Sequence, residues 1–151
     1  DKPHLCKRDD AKDCIAQCEK GDAGSCHNLA WLHKMGKDVA KDEAKANELF
    51  DKACTGGFAN ACYQRGWSYL SERLQKGKSE DAQTELRVKA EELMNKACQL
   101  GDAYACYNTS DWYLRDPPLA VFPKDPARAI AMIRRGCNLG YAFACSRLAL
   151  A

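Results

Sequence analysis

No run of apolar residues in this 151-residue chain approaches the ~18 that a membrane-spanning helix needs. An excess of one charge is lacking too. Lys and Arg total 23 against 21 Asp and Glu, a net charge of +2, with the signs mixed along the chain. That balance leaves no basic footprint for nucleic acid and no patch that steers the chain onto a membrane. Histidine is scarce: His4, His27 and His33 are too few and too scattered for a metal set. C-x-x-C pairs are missing, which removes thioredoxin-like redox chemistry. Cys14 and Cys18 stand four apart on one expected helix face, but no histidine pair accompanies them, so zinc is a poor fit. No cofactor is expected.

Cysteine itself is abundant. There are ten, and they fall into one recurring unit. Cys18 to Cys26, Cys54 to Cys62, Cys98 to Cys106 and Cys137 to Cys145 all read C-x2-G-x-A-x-[AS]-C. Cys6 to Cys14 is a weaker fifth copy, with Asp9 in the glycine slot and Ala11 in the alanine slot. The glycine suits the residue just past a helix, where a positive φ is wanted. The alanine leaves room for the next helix to start close by. The unit reads as helix end, tight turn, helix start. Adjacent antiparallel helices bring Cα atoms within the roughly 7 Å a disulfide spans. This local rule pairs every cysteine: Cys6–Cys14, Cys18–Cys26, Cys54–Cys62, Cys98–Cys106 and Cys137–Cys145. So many regular pairs point to an oxidising compartment. The chain opens at Asp1 rather than methionine, as expected of a protein whose targeting segment has been removed.

The first cysteines of the four full units lie 36, 44 and 39 residues apart. Periods in this range with paired helices mean an all-α chain, an α/α-solenoid of helix-turn-helix repeats. Residues 1–17 are read as a lead-in and capping helix. Residues 18–53, 54–97, 98–136 and 137–151 are read as about three and a half repeats of one solenoid domain. First (A) helices are expected over about 24–35, 60–75, 104–115 and 142–151. Second (B) helices are expected over about 42–54, 80–100 and 125–139. Asp42 is a plausible N-cap, and Pro126 at the first position of its helix is a strong start signal. The longest interval comes from an extended hairpin whose residues 76–84 are polar. Asp116-Pro117-Pro118 stops the third A helix, and Leu119, Val121 and Phe122 form an apolar segment that can fold back on the core.

Positions beyond the cysteines also recur. Leu29, Ala30, His33 and Gly36 follow Cys26; Gly66 and Tyr69 follow Cys62; Ser110 and Tyr113 follow Cys106. Asp42, Ala46, Lys52 and Ala53 precede Cys54, and Asp125, Ala129, Arg135 and Gly136 precede Cys137 in the same register. On these residues nearly the whole chain after Cys6 resembles the Sel-like repeat (SLR) family, relatives of tetratricopeptide repeats. The paired cysteines make it similar to the cysteine-rich (Hcp-type) secreted bacterial branch. It departs at Arg65 and Thr109, where the family has leucine. The resemblance implies a periplasmic or secreted protein. It also implies a possible penicillin-binding role with weak β-lactamase activity. Against that role, S-x-x-K, K-T-G and S-D-N are all absent. Turnover of a chromogenic β-lactam tests it directly. A further relative is a mitochondrial intermembrane-space assembly factor.

Counting from the second cysteine of each unit, positions +3, +4 and +7 share its helix face and are read as core. The opposite stripe is +2, +5 and +9. In the resemblance this A-helix face lines a concave surface. It carries an amide at +2 three times (Asn28, Gln64, Asn108) and tryptophan at +5 twice (Trp31, Trp67); Asp111 and Arg115 extend it. Amides both donate and accept, which suits a peptide backbone. Tryptophan is a common anchor of protein interfaces. The expected role is therefore a non-enzymatic scaffold binding a protein or peptide through these seven residues. The competing reading is that the amides satisfy neighbouring backbone and the tryptophans pack between repeats.

Overall fold

The computed structural model describes residues 2–117 and 120–150. Among them are eight helices and no strand. In order these are α1 (Ala11–Glu19), α2 (Ala23–Met35), α3 (Glu43–Thr55), α4 (Ala59–Arg73), α5 (Glu80–Gln99), α6 (Ala103–Leu114), α7 (Pro126–Asn138) and α8 (Ala142–Ala149). The chain is thus an all-α, α/α repeat fold, built as two compact units, Asp1–Arg65 and Gly66–Ala151. Pro118 and Leu119, read as part of the helix stop and the fold-back segment, lie outside the described residues.

All five disulfides follow the local rule, each joining cysteines eight positions apart, with Cα atoms 4.5–5.0 Å apart. In the four full units the turn has one form. Gly21, Gly57, Gly101 and Gly140 all take φ between 90° and 100°. At the first turn the Gly21 N–H donates to Cys18 O, and the Asp22 N–H donates to Gln17 O. The same two bonds recur at Gly57 and Phe58, at Gly101 and Asp102, and at Gly140 and Tyr141. This is a Schellman closure, which satisfies carbonyls that a helix end leaves orphaned. The next helix starts at once. Asp22 and Asp102 cap it through side-chain oxygens that accept from Ser25 N and Ala105 N. The residue before each second cysteine, Ser25, Ala61, Ala105 or Ala144, is fully buried, so only a small side chain fits.

The basic residue two before the first cysteine has a structural job. Lys52 Nζ donates to Cys18 O at 3.2 Å, and Arg135 donates to Cys98 O and Gln99 O at 2.9 and 2.7 Å. Each cation sits on the carbonyl end of an earlier helix, where the helix dipole favours it. The weak fifth unit differs. Cys6 is not helical, Asp9 takes no positive φ, and the bridge to Cys14 ties an irregular lead-in to α1. No helix precedes that turn among the described residues, so the turn has no described helix end for a Schellman closure to satisfy.

In the second unit α5 packs on α6, α6 on α7 and α7 on α8. The small +4 position allows close approach. A Cβ on Gly66 would stand 2.8 Å from Met94 Cγ and 3.2 Å from the Ala90 carbonyl oxygen. Gly66→Ala is expected to cost about 1–3 kcal/mol as overpacking, read as a lower denaturant midpoint. An unchanged midpoint would mean that Met94 swings aside freely. Phe122 folds back as expected, buried against Tyr113 and Trp112 with ring centroids at 5.4 and 6.5 Å.

The extended hairpin is mostly helix: α5 starts at Glu80 behind the Ser79 N-cap, leaving a linker over residues 74–79. Glu85–Lys89 and Arg87–Glu91 ion pairs line α5 at i, i+4 spacing. Limited proteolysis is expected to cut the linker first, since Leu74 is 79% exposed there. Shortening the linker should leave folding intact, and a fast first cut inside a helix would refute the assignment.

Candidate functional site

In the first unit, α2 is buried over an unbroken stretch, Gly24 to Ala30. Its cysteine face packs on α1 and α3. Its other face is covered by the chain's own lead-in. The His4 N–H donates to Gln17 Oε1 at 3.1 Å, and the Cys6 N–H donates to Ser25 Oγ at 2.9 Å. Ser25 Oγ lies 3.0 Å from His4 O and 2.6 Å from Asp22 Oδ1, two acceptors for its one proton. Asn28 Nδ2 donates to Cys6 O at 3.1 Å. Leu5 rests on Gly24, where a Cβ would stand 2.7 Å from Leu5 Cδ1. A strip of irregular chain is therefore held through its backbone by three side chains of α1 and α2.

Past Cys6 the lead-in turns away into α1, closing a turn with Asp10 N donating to Lys7 O at 3.0 Å. Where it leaves the α2 face, a groove of about 410 Å³ opens, with Asn28, Trp31, Leu32 and Met35 along α2. Trp31 is half-buried, its edge toward Phe50 at 5.8 Å and its indole N–H donating to His27 Nε2 at 3.2 Å. Lys34 Nζ lies 4.9 Å from the Trp31 ring centroid. Met35 stands at the groove's edge, 62% exposed. Gln64 is half-buried, its amide 3.5 Å from Asn60 Oδ1.

His27 is buried at the base of this wall, its Nε2 3.0 Å from Asn60 Oδ1. Burial pushes its pKa down, against the upward pull of the Asn60 and Asn28 amides; Arg8 adds to the depression. The unfolded chain titrates near 6.5. Below that pH the unfolded state takes up a proton that folded His27 resists. Its contribution is therefore present at higher pH and is lost as pH falls through about 6.5. The denaturant midpoint should drop between about pH 7.5 and pH 5.5, and His27→Gln should shrink that drop.

In the second unit, Trp67 is half-buried and meets Trp112 edge-on at 5.8 Å. Asn108 is half-buried on α6. Asp111 accepts from Arg115 Nε at 2.9 Å and from Arg147 Nη2 at 3.2 Å. Burial raises the Asp111 carboxyl, but these two guanidinium hydrogen bonds outweigh it and hold it below the usual range. With two arginines on one aspartate, this end of the stripe carries a surplus positive charge.

Of the seven stripe residues, Asn28, Trp31 and Gln64 thus fall in the first unit and Trp67, Asn108, Asp111 and Arg115 in the second. Asn28 is spent on the lead-in. Sequence reasoning missed Ser25 and Gln17 as clamps of that lead-in, because both look like ordinary helix-surface residues. It also missed a network on the second unit. Tyr113 is buried, and its hydroxyl lies 2.6 Å from Asn95 Nδ2, 2.8 Å from Glu91 Oε1 and 3.3 Å from Arg128 Nη1. A groove of about 560 Å³ runs past Glu91, Asn95 and Arg128, with Met132 in its wall.

The Sel1 repeat pattern matches residues 23–58, 59–102 and 103–141. The chain therefore belongs to the Sel1 repeat family, whose repeats build scaffolds for protein–protein interaction. Two solved structures share the fold. A Sel1 repeat protein from Oxalobacter formigenes is 22% identical with a TM-score of 0.68, covering 92% of this chain and 53% of its own. A protective antigen of uropathogenic Escherichia coli displaying an SLR fold is 22% identical with a TM-score of 0.66, covering 91% and 27%. Among curated proteins, cytochrome c oxidase assembly factor 7 of Danio rerio is 34% identical over 61 residues, 39% of this chain and 26% of its own length. The Xenopus tropicalis protein of the same name is 36% identical over 61 residues, 37% and 26%. The chain spans about a quarter of the length of these curated relatives.

Five disulfides and no free cysteine among the described residues point to an oxidising compartment. No described helix is long and apolar enough to cross a membrane.

Proposed function

We propose that the chain is a non-enzymatic interaction scaffold that holds a protein segment on its A-helix faces. Trp31 and Gln64 serve in the first unit, where the Asn28 amide is taken up by Cys6 of the lead-in, and Trp67, Asn108, Asp111 and Arg115 serve in the second. The observation that carries this reading is the exposure of the two tryptophans. Trp31 and Trp67 occupy one register and both remain partly open to solvent, while +4 on the opposite face is buried at Ala30 and Gly66. A half-exposed indole offers a large apolar area, as an interface anchor does. The proposed location is the periplasm or cell exterior.

Crosslinked pull-down from the native compartment tests the reading. Trp67→Ala is expected to weaken capture by about thirtyfold, the loss of a ~2 kcal/mol anchor, with a melting shift of only a few degrees. Capture that survives both Trp31→Ala and Trp67→Ala would move the binding face elsewhere.

A second reading follows from the curated relatives. The stretch shared with cytochrome c oxidase assembly factor 7 supports an assembly factor of the mitochondrial intermembrane space. Fractionation of the source cells separates the two compartments.

A further inference from the structure

We propose that the groove beside Trp31 in the first unit binds an extended peptide segment carrying one bulky apolar side chain with a carboxylate next to it. The inference rests on the scaffold reading above and names the chemistry of one of its sites. The first ground is the track. The lead-in at residues 4–6 lies along α1 and α2 without regular secondary structure, its backbone met by Gln17, Ser25 and Asn28. The surface thus already receives a main chain through side-chain donors and acceptors, in cis. The lead-in then departs at the Lys7–Asp10 turn, and the groove opens at that point, with Arg8 and Asp9 at its edge. A partner segment entering there meets the same face of α2 one turn further on.

The second ground is shape and polarity. A groove of about 410 Å³ walled by Trp31, Leu32 and Met35 accommodates one large aliphatic or aromatic side chain. Met35 is unbranched and 62% exposed, so it can adapt to the side chain it covers. The third ground is charge. Of the charged residues lining the groove Arg8 and Lys37 are basic and Asp9 is acidic, and Lys34 lies nearby over the Trp31 ring. A positive rim around an apolar slot selects a segment that brings its own carboxylate.

The test is selection followed by charge exchange. Random heptapeptides displayed on phage are panned against oxidised, biotinylated protein. Enriched sequences are expected to place Asp or Glu within two positions of a Leu, Met, Phe or Trp. A synthetic peptide of the consensus is then titrated by fluorescence anisotropy. Met35→Asp should weaken it by about tenfold or more. Arg8→Glu with Lys37→Glu should weaken it similarly. A peptide with its acids changed to lysines should then prefer that double variant over the parent. All three positions are exposed, so circular dichroism should be unchanged.

Enrichment of peptides lacking the acid, or binding indifferent to Met35→Asp, overturns the inference. Peptides lost on Trp67→Ala but not on Met35→Asp would overturn it while leaving the scaffold reading in place. No enrichment overturns it as well, and pull-down of the native partner then judges the scaffold reading alone.

Discussion

Treatment of the intact protein with excess dithiol is expected to strip it of much of its helix at temperatures where the oxidised protein keeps it. Each bridge closes a loop of about nine residues, which is worth roughly 2.5 kcal/mol if it acts by restricting the unfolded chain. Five such terms are not additive, because neighbouring bridges restrict overlapping parts of the unfolded ensemble. Even two or three of them rival the 5–15 kcal/mol that typically separates a domain from its unfolded state. The far-ultraviolet circular dichroism melt of reduced, alkylated protein is the measurement. A midpoint within a few degrees of the oxidised form would show that core burial, not the bridges, holds the repeats. Mapping disulfide peptides from unreduced protein checks the pairing. A Cys14–Cys18 peptide, or a bridge between different repeats, contradicts it.

Phe122→Ala is expected to cost about 3–5 kcal/mol, the usual range for removing a buried phenylalanine. Phe122 comes from no helix. It is 1% exposed and lies against Tyr113, itself 1% exposed, and beside Trp112. Its removal leaves a cavity over the Tyr113 ring and frees the segment that leads to Asp125, the N-cap of α7. Chemical denaturation should show the loss in the midpoint. Hydrogen exchange should show it first at the start of α7. A loss below about 1 kcal/mol would mean that the surroundings collapse into the space.

The repeat architecture was legible because its signals are local. A glycine that must take a positive φ, a small residue before the second cysteine and a cysteine pair at fixed spacing all lie within nine residues. Pro126 behind Asp125 and Ser79 before Glu80 mark helix starts by rules that need no tertiary context. The candidate site was legible only in its register. Periodicity put Asn28, Trp31 and Met35 on one stripe, and the groove does run along them. Periodicity could not tell that Cys6 would fold back and take the Asn28 amide, because that contact spans 22 positions and depends on where α1 points. The hydroxyl of Tyr113 is a similar case. Its partners Glu91, Asn95 and Arg128 come from two other helices, and nothing in the surrounding sequence announces the meeting.

The turn that carries each staple also bears on how the chain reaches its fold. The four full bridges close between a helix end and the helix start that follows the same short turn. A growing chain therefore presents each cysteine pair together, soon after a single helix hairpin has formed. Correct oxidation needs no long-range search, and the entropy of closing such a small loop is modest. Contacts dominated by near neighbours in sequence favour fast folding. Repeats of this kind can nucleate at one hairpin and extend to the next. A mispaired cysteine would have to come from a different turn, after its own partner had already been in reach. The spacing thus acts as a proofreading rule for oxidation, written into the chain before any tertiary core exists.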